Sequence, residues 1–181
     1  DPDYDSIDNY EEYLTSQWDS DPFRKDIFVE LDQMNGTEDI APSILPQESK
    51  DLIRDAFDRQ NIVYHLDDGT WEESESDMIP FDDVGEKTNF TELNQMYYDY
   101  FLNGDENNWR KGVFHYGLVV YRTVSASGFL YRSDAFQISS RGMELKAKKP
   151  LTHNREVVYA SAYMHELGHS LGLTWLLGHA D

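Results

Sequence analysis

Apolar positions recur along this chain in two rhythms. Asp26-Ile27-Phe28-Val29-Glu30-Leu31 alternates and is rich in β-branched and aromatic residues, which predicts a strand. Ile62 to Leu66 predicts a second, and Val113 to Arg122 (VFHYGLVVYR) is apolar enough to be central in a sheet. Gly128 to Ser139 holds one or two more, around Phe136 and Ile138. The helical rhythm takes over elsewhere. In Pro46 to Gln60, residues Leu45, Leu52, Ile53, Ala56 and Phe57 fall on one face, with Pro46 at the start. Glu92 to Leu102 predicts a helix ended by Asn103-Gly104, and Arg155 to Leu173 is the longest helical pattern. Asp67 to Glu86 is acidic, has no period and predicts a long surface loop. The order β-α-β, helix, β-β, helix implies an α+β fold, a mixed sheet covered by helices.

The first 22 residues follow neither rhythm. Asp1, Asp3 and Asp5 alternate, Ile7 offers a carbonyl at position seven, and Glu12 stands at position twelve. That is the ligand spacing of an EF-hand-type calcium loop, with Asn9 at position nine. Ser6 stands where such loops usually carry Gly. Asn9 to Thr15 then predicts a short helix. With the following Tyr-Glu-Glu and Asp21-Pro22, the stretch resembles calcium-binding repeats of the thrombospondin type-3 and dockerin kind. Two units are therefore expected: a calcium-binding repeat over 1–22, the end of a longer array, and a second domain over 23–181. The bland alternative is a solvated acidic tail.

The chemistry lies near the other end. On a helix His165 and His169 are one turn apart and project side by side, as two imidazoles gripping one Zn²⁺ must. Glu166 follows the first His, where a carboxylate can take a proton from metal-activated water and return it to a leaving amine. The five-residue motif also arises by chance. Here it sits in an uninterrupted periodic helix, with Gly168 inside and Gly172 three residues after His169.

His-Glu-x-x-His-x-x-Gly resembles the metzincin clan of zinc endopeptidases. The stretches KDIFVELDQM, RKGVFHYGLVVYR and SGFLYRSDAFQIS extend the resemblance over about Lys25 to Leu173, towards exported metzincin-like proteases of archaea and bacteria. It implies a zincin-like twisted sheet with a backing helix and an active-site helix. It also implies a protein or peptide substrate pairing with an edge strand, here Ser127 to Tyr131 or its neighbour. The clan's third ligand, usually His and sometimes Asp, sits three residues after the Gly. Trp175 holds that position, and indole cannot ligate zinc. His179 is the leading substitute and Asp181 the next, with a ligand lost or lying beyond Asp181 as the remaining alternative. The Met-turn is missing, so the lower subdomain is expected to be absent from this chain.

Composition narrows the setting. A net charge of −20, from 35 acidic against 15 basic residues, disfavours nucleic acid, whose phosphates need Lys and Arg. No apolar run approaches a membrane span. There is no cysteine, hence no disulfide. Asn35-Gly36-Thr37 and Asn89-Phe90-Thr91 are candidate glycosylation sequons, compatible with a secreted or cell-surface protein. Because the sequence opens on Asp1 without a signal peptide, it is expected to be a processed or excised piece of something longer. The remaining histidines, His65 and His115 on strands and His153 in a loop, read as ordinary. Tyr159 and Tyr163 read as core. Two functions follow as expectations: a secreted zinc endopeptidase with attached calcium repeats, or a catalytically impaired metzincin-like module used in cell-surface or filament assembly.

Overall fold

Strand β1 (Lys25–Met34) is buried on both faces, so each must be covered by something. Val29 and Leu31 face one core, Phe28 and Met34 the other. The computed structural model describes residues 3, 5, 7–71, 78–85, 90–123, 127–149 and 154–173. Among these, six strands form one sheet in the order β2-β1-β4-β6-β5, with β3 also paired to β1. β2 (Ile62–Asp67), β3 (Met78–Ile79), β4 (Phe114–Val120) and β6 (Ala135–Ser139) join through parallel pairs, and β5 (Gly128–Arg132) lies antiparallel at the edge. The fold is thus a mixed α/β structure on a mostly parallel sheet. Among the described residues no helix is long and apolar enough to cross a membrane.

One face is covered by α2 (Gln47–Asp58), α4 (Ser140–Ala147) and α5 (Arg155–Ser170). A parallel strand pair needs a crossover, and α2 supplies it between β1 and β2. α2 and α5 are stitched by Ser49 Oγ donating to Glu156 O at 2.8 Å. The Tyr64 and Tyr163 hydroxyls meet at 2.7 Å in the core below. The face expected for α2 needs correcting. Leu45 and Ile53 are buried, but Leu52 is 40% exposed. Ser49 and Lys50 are buried in its place, Ser49 against α5 and Lys50 beside the end of β2. Buried Lys50 reaches Asp68 Oδ2 at 2.6 Å, which keeps its charge paired.

The opposite face is covered by α3 (Thr91–Met96) and the π-type turn Tyr97–Phe101 that continues it. Leu93, Tyr97 and Phe101 reach the core, and Phe101 stacks on Tyr116 at 5.1 Å. Asn103 and Gly104, both at positive φ, end this helix where the Asn-Gly pair was expected to. Acidic groups sit on the same face. Arg110 bridges Glu30 and Asp67, and burial nevertheless pushes the Glu30 carboxyl up to about 8.

The N-terminal stretch is packed onto this body. Helix α1 (Asn9–Thr15) has a full capping box between Asp8 and Glu11. Ile7 enters the same core cluster as Phe28 and Phe114. Trp18 stacks between Trp71 (4.9 Å) and Trp109 (5.9 Å). The expected loop over 67–86 also needs correcting. It contributes β3, and both Ile79 and Val84 are buried. A two-residue strand is too short to show a period. Helix α4 was not anticipated, because its buried positions are Ser140 and Met143, too few for a stripe.

Candidate metal centre

Helix α5 begins on Asn154, whose side chain accepts from Glu156 N–H at 2.8 Å. Val158, Tyr159, Tyr163 and Leu167 bury its inner side against the sheet. That choice turns His165 and His169 outward to the rim and leaves Glu166 pointing between helix and sheet edge. The helix stops as Gly172 suggested. Gly172 has φ +78°, its N–H reaches His169 O at 3.1 Å, and Leu173 N–H reaches Gly168 O at 2.9 Å. This is a Schellman ending.

The reversal has a chemical consequence. It sets the Leu173 carbonyl 3.2 Å from His169 Nδ1. A carbonyl only accepts, so Nδ1 carries the proton and the neutral ring presents its lone pair at Nε2. That Nε2 lies 3.2 Å from His165 Nε2, the rings being nearly perpendicular at 89°. Two imidazoles on one tetrahedral zinc, each bonded at about 2.0–2.1 Å, place their nitrogens about 3.3 Å apart. His165, Glu166 and His169 bring ligand atoms within 4.8 Å of one another, and this group could hold a metal ion.

Glu166 is 7% exposed. Burial pushes its carboxyl up to about 7, and the positive charge of Lys146 pulls the other way. A cation held beside it favours the carboxylate and lowers that value. Its neighbour across the gap is Gly128 at the start of β5. A Cβ there would stand 2.8 Å from Glu166 Oε1 and 3.0 Å from Cγ. Gly128→Ala is therefore expected to push the carboxylate aside by a few tenths of an ångström. The obstruction is a flexible side chain, so folding should survive. If Glu166 is the base, kcat should fall about tenfold with KM nearly unchanged. An unaltered kcat would rule out this positioning role. In front of Glu166 lies a cleft of about 670 Å³ between Gly128, Val158, His165 and the end of α4 at Lys146 and Lys149.

The N-terminal loop forms a second cluster. Asp3 and Asp5 are half-buried, and Ile7 and Glu12 are buried. Asp5 Oδ1 accepts from Ile7 N–H and Oδ2 from Asp26 N–H, each at 2.8 Å, which fastens the loop to β1. Both Asp3 oxygens and Glu12 Oε1 are buried with no hydrogen-bond partner among the described residues. Burial, then the charges of Asp3 and Asp5, raise the Glu12 pKa.

Other expected positions fall as follows. Asn35 is exposed just after β1, its N–H donating to Ile79 O at 2.9 Å. His65 is buried and satisfied, 2.6 Å from Asp26 Oδ1 and stacked on Phe28. His115 Nδ1 has no partner among the described residues, and burial lowers its pKa. Asp1, Asn89, His153, Trp175, His179 and Asp181 lie outside the described residues. Sequence reasoning placed Gly128 only within the strand expected to pair with substrate and missed Lys146 and Lys149, which reach the site only through folding. The Leu173 carbonyl was legible in principle, since Gly172 marks the turn that delivers it. No protein-family model, curated protein or solved structure compared with this chain matches it.

Proposed function

We propose that the chain is a zinc-dependent endopeptidase of metzincin type, secreted or displayed at a cell surface, with a calcium-holding loop at its N-terminal end. The single observation that carries this reading is the pair of Nε2 atoms at 3.2 Å with a buried Glu166 on the same helical turn. The donor set fits zinc: two imidazoles at tetrahedral spacing, one tautomer fixed by a backbone carbonyl. His179 is the proposed third ligand, Asp181 the substitute.

When bound there, zinc supplies a Lewis acid that polarises the scissile carbonyl and the attacking water. The chain's own residues do the rest. His165 and His169 fix the centre at the mouth of the cleft. Glu166 accepts the proton from water as oxygen adds to the carbonyl carbon. It returns that proton to the nitrogen as the C–N bond breaks. β5, at the sheet edge beside Glu166, offers a backbone for an extended peptide to pair with antiparallel.

Calcium fits the N-terminal loop on separate grounds. Three buried carboxylate oxygens on Asp3 and Glu12, without a hydrogen-bond partner among the described residues, are costly alone and suit a hard, oxygen-seeking cation. Asp1, Asp5 and the Ile7 carbonyl complete the proposed set. A second reading is a catalytically impaired module for cell-surface or filament assembly, favoured by Trp175 at the clan's third-ligand position. The intact base weighs against it. Removing and restoring metal decides between them. Casein hydrolysis that disappears with a zinc chelator and returns with zinc supports the protease. Absence of hydrolysis in the zinc-loaded chain supports the module.

A further inference from the structure

The charge of the cleft runs against the charge of the protein. Of 15 Lys and Arg in a chain of net charge −20, five lie between residues 141 and 155: Arg141, Lys146, Lys148, Lys149 and Arg155. The same stretch holds one acid, Glu144, which is neutralised by Arg155 at 2.6 Å and also accepts from the Tyr159 hydroxyl. Lys146 and Lys149 line the cleft that opens on His165 and Glu166. Its floor is apolar or small, formed by Val157, Val158 and Ala162.

The cleft also runs along α5 toward that helix's N-terminal end, because Val157 belongs to the first turn. The positive end of the helix dipole therefore adds to the two ammonium groups. Glu156, half-buried in the same turn, is the opposing charge at that end. From Val157 to His165 the helix rises about 12 Å, the length of three to four extended residues. The cleft is thus long enough to hold the first residues on one side of the scissile bond, with Lys146 and Lys149 in its lining.

We infer that this cleft selects peptides carrying an acidic side chain within two residues of the bond cut, with Lys146 and Lys149 as the specificity-determining residues. The inference rests on the protease reading above and names its substrate class. A focused positive site on a negative protein steers acidic peptides toward the cleft. Partly exposed ion pairs are each worth a few-fold, so two acting together give about tenfold discrimination.

The test uses the zinc-loaded chain and matched ten-residue peptides that differ only in Asp, Ala or Lys at the positions flanking one bond. Cleavage is read by kcat/KM, and binding of the same peptides to the Glu166→Gln form by fluorescence anisotropy. The Asp peptide should lead Ala by about tenfold and Lys by more. Lys146→Glu and Lys149→Glu should each erase or invert the order, and Lys111→Glu, remote from the cleft, should leave it unchanged. Equal cleavage of Asp and Lys peptides overturns the inference and leaves the protease standing. Absent cleavage with charge-dependent binding overturns the protease and keeps the acidic selectivity. Absent cleavage with no charge preference in binding overturns both.

Discussion

Glu166→Gln should lower kcat/KM for peptide hydrolysis by about 10³-fold while leaving metal content and thermal stability intact. Gln has the shape of Glu, so the packing against Gly128 is kept. The wild-type carboxyl is already pushed towards its neutral form by burial, so a neutral amide costs the fold little. His165 and His169 are untouched, and the amide does not disturb their 3.2 Å spacing. What is lost is one function, the acceptance and return of a proton. Activity within tenfold of wild type, in protein with full zinc content, would remove Glu166 from the role of base. Loss of activity together with zinc would instead make Glu166 a ligand.

Adding calcium to metal-free protein should raise Tm by about 5–10 °C. At a hundredfold excess over Kd a ligand specific to the folded state stabilises by about 2.7 kcal/mol, and a domain of this size gains about 2–4 °C per kcal/mol. The source is the set of buried oxygens on Asp3 and Glu12, unpartnered among the described residues, which repel one another without a cation. Glu12→Gln separates this account from a merely structural one. It removes a repelled charge, so without calcium the variant should be at least as stable as wild type. With calcium it should gain only a degree or two. A variant that melts lower without calcium yet keeps the full calcium response would contradict the site. So would wild-type protein with the same Tm in calcium and in a calcium-selective chelator. Because Asp5 holds the Asp26 N–H and Asp26 holds His65, the gain should spread into β1 and β2.

The elements that could be read in advance are those whose burial is written in their own residues. β4 lies between β1 and β6 and is apolar almost throughout, so its central place was visible. α5 was visible through its apolar stripe, its spacing of His165 and His169, and Gly172 at its end. β3 and α4 were not, because two strand residues or two buried helix positions make no pattern. Leu52 was misplaced because α2 buries Ser49 and Lys50, which bond to Glu156 on α5 and to Asp68 just past β2. The site divides the same way. Its two imidazoles and its carboxylate are local to one helix. Gly128, Lys146 and Lys149 come from β5 and from around the end of α4, and nothing in their neighbours' residue types announces where they meet. The clan resemblance and the calcium spacing remain proposals that the arrangement of His165, His169, Asp3 and Glu12 makes testable.

The most direct measurement is a zinc titration of metal-free protein with peptide hydrolysis recorded at each step. Hydrolysis should rise in proportion to added zinc and break at one zinc per chain, and His169→Ala should neither retain zinc nor turn over. Activity that ignores zinc, or zinc bound equally by wild type and His169→Ala, would contradict the account.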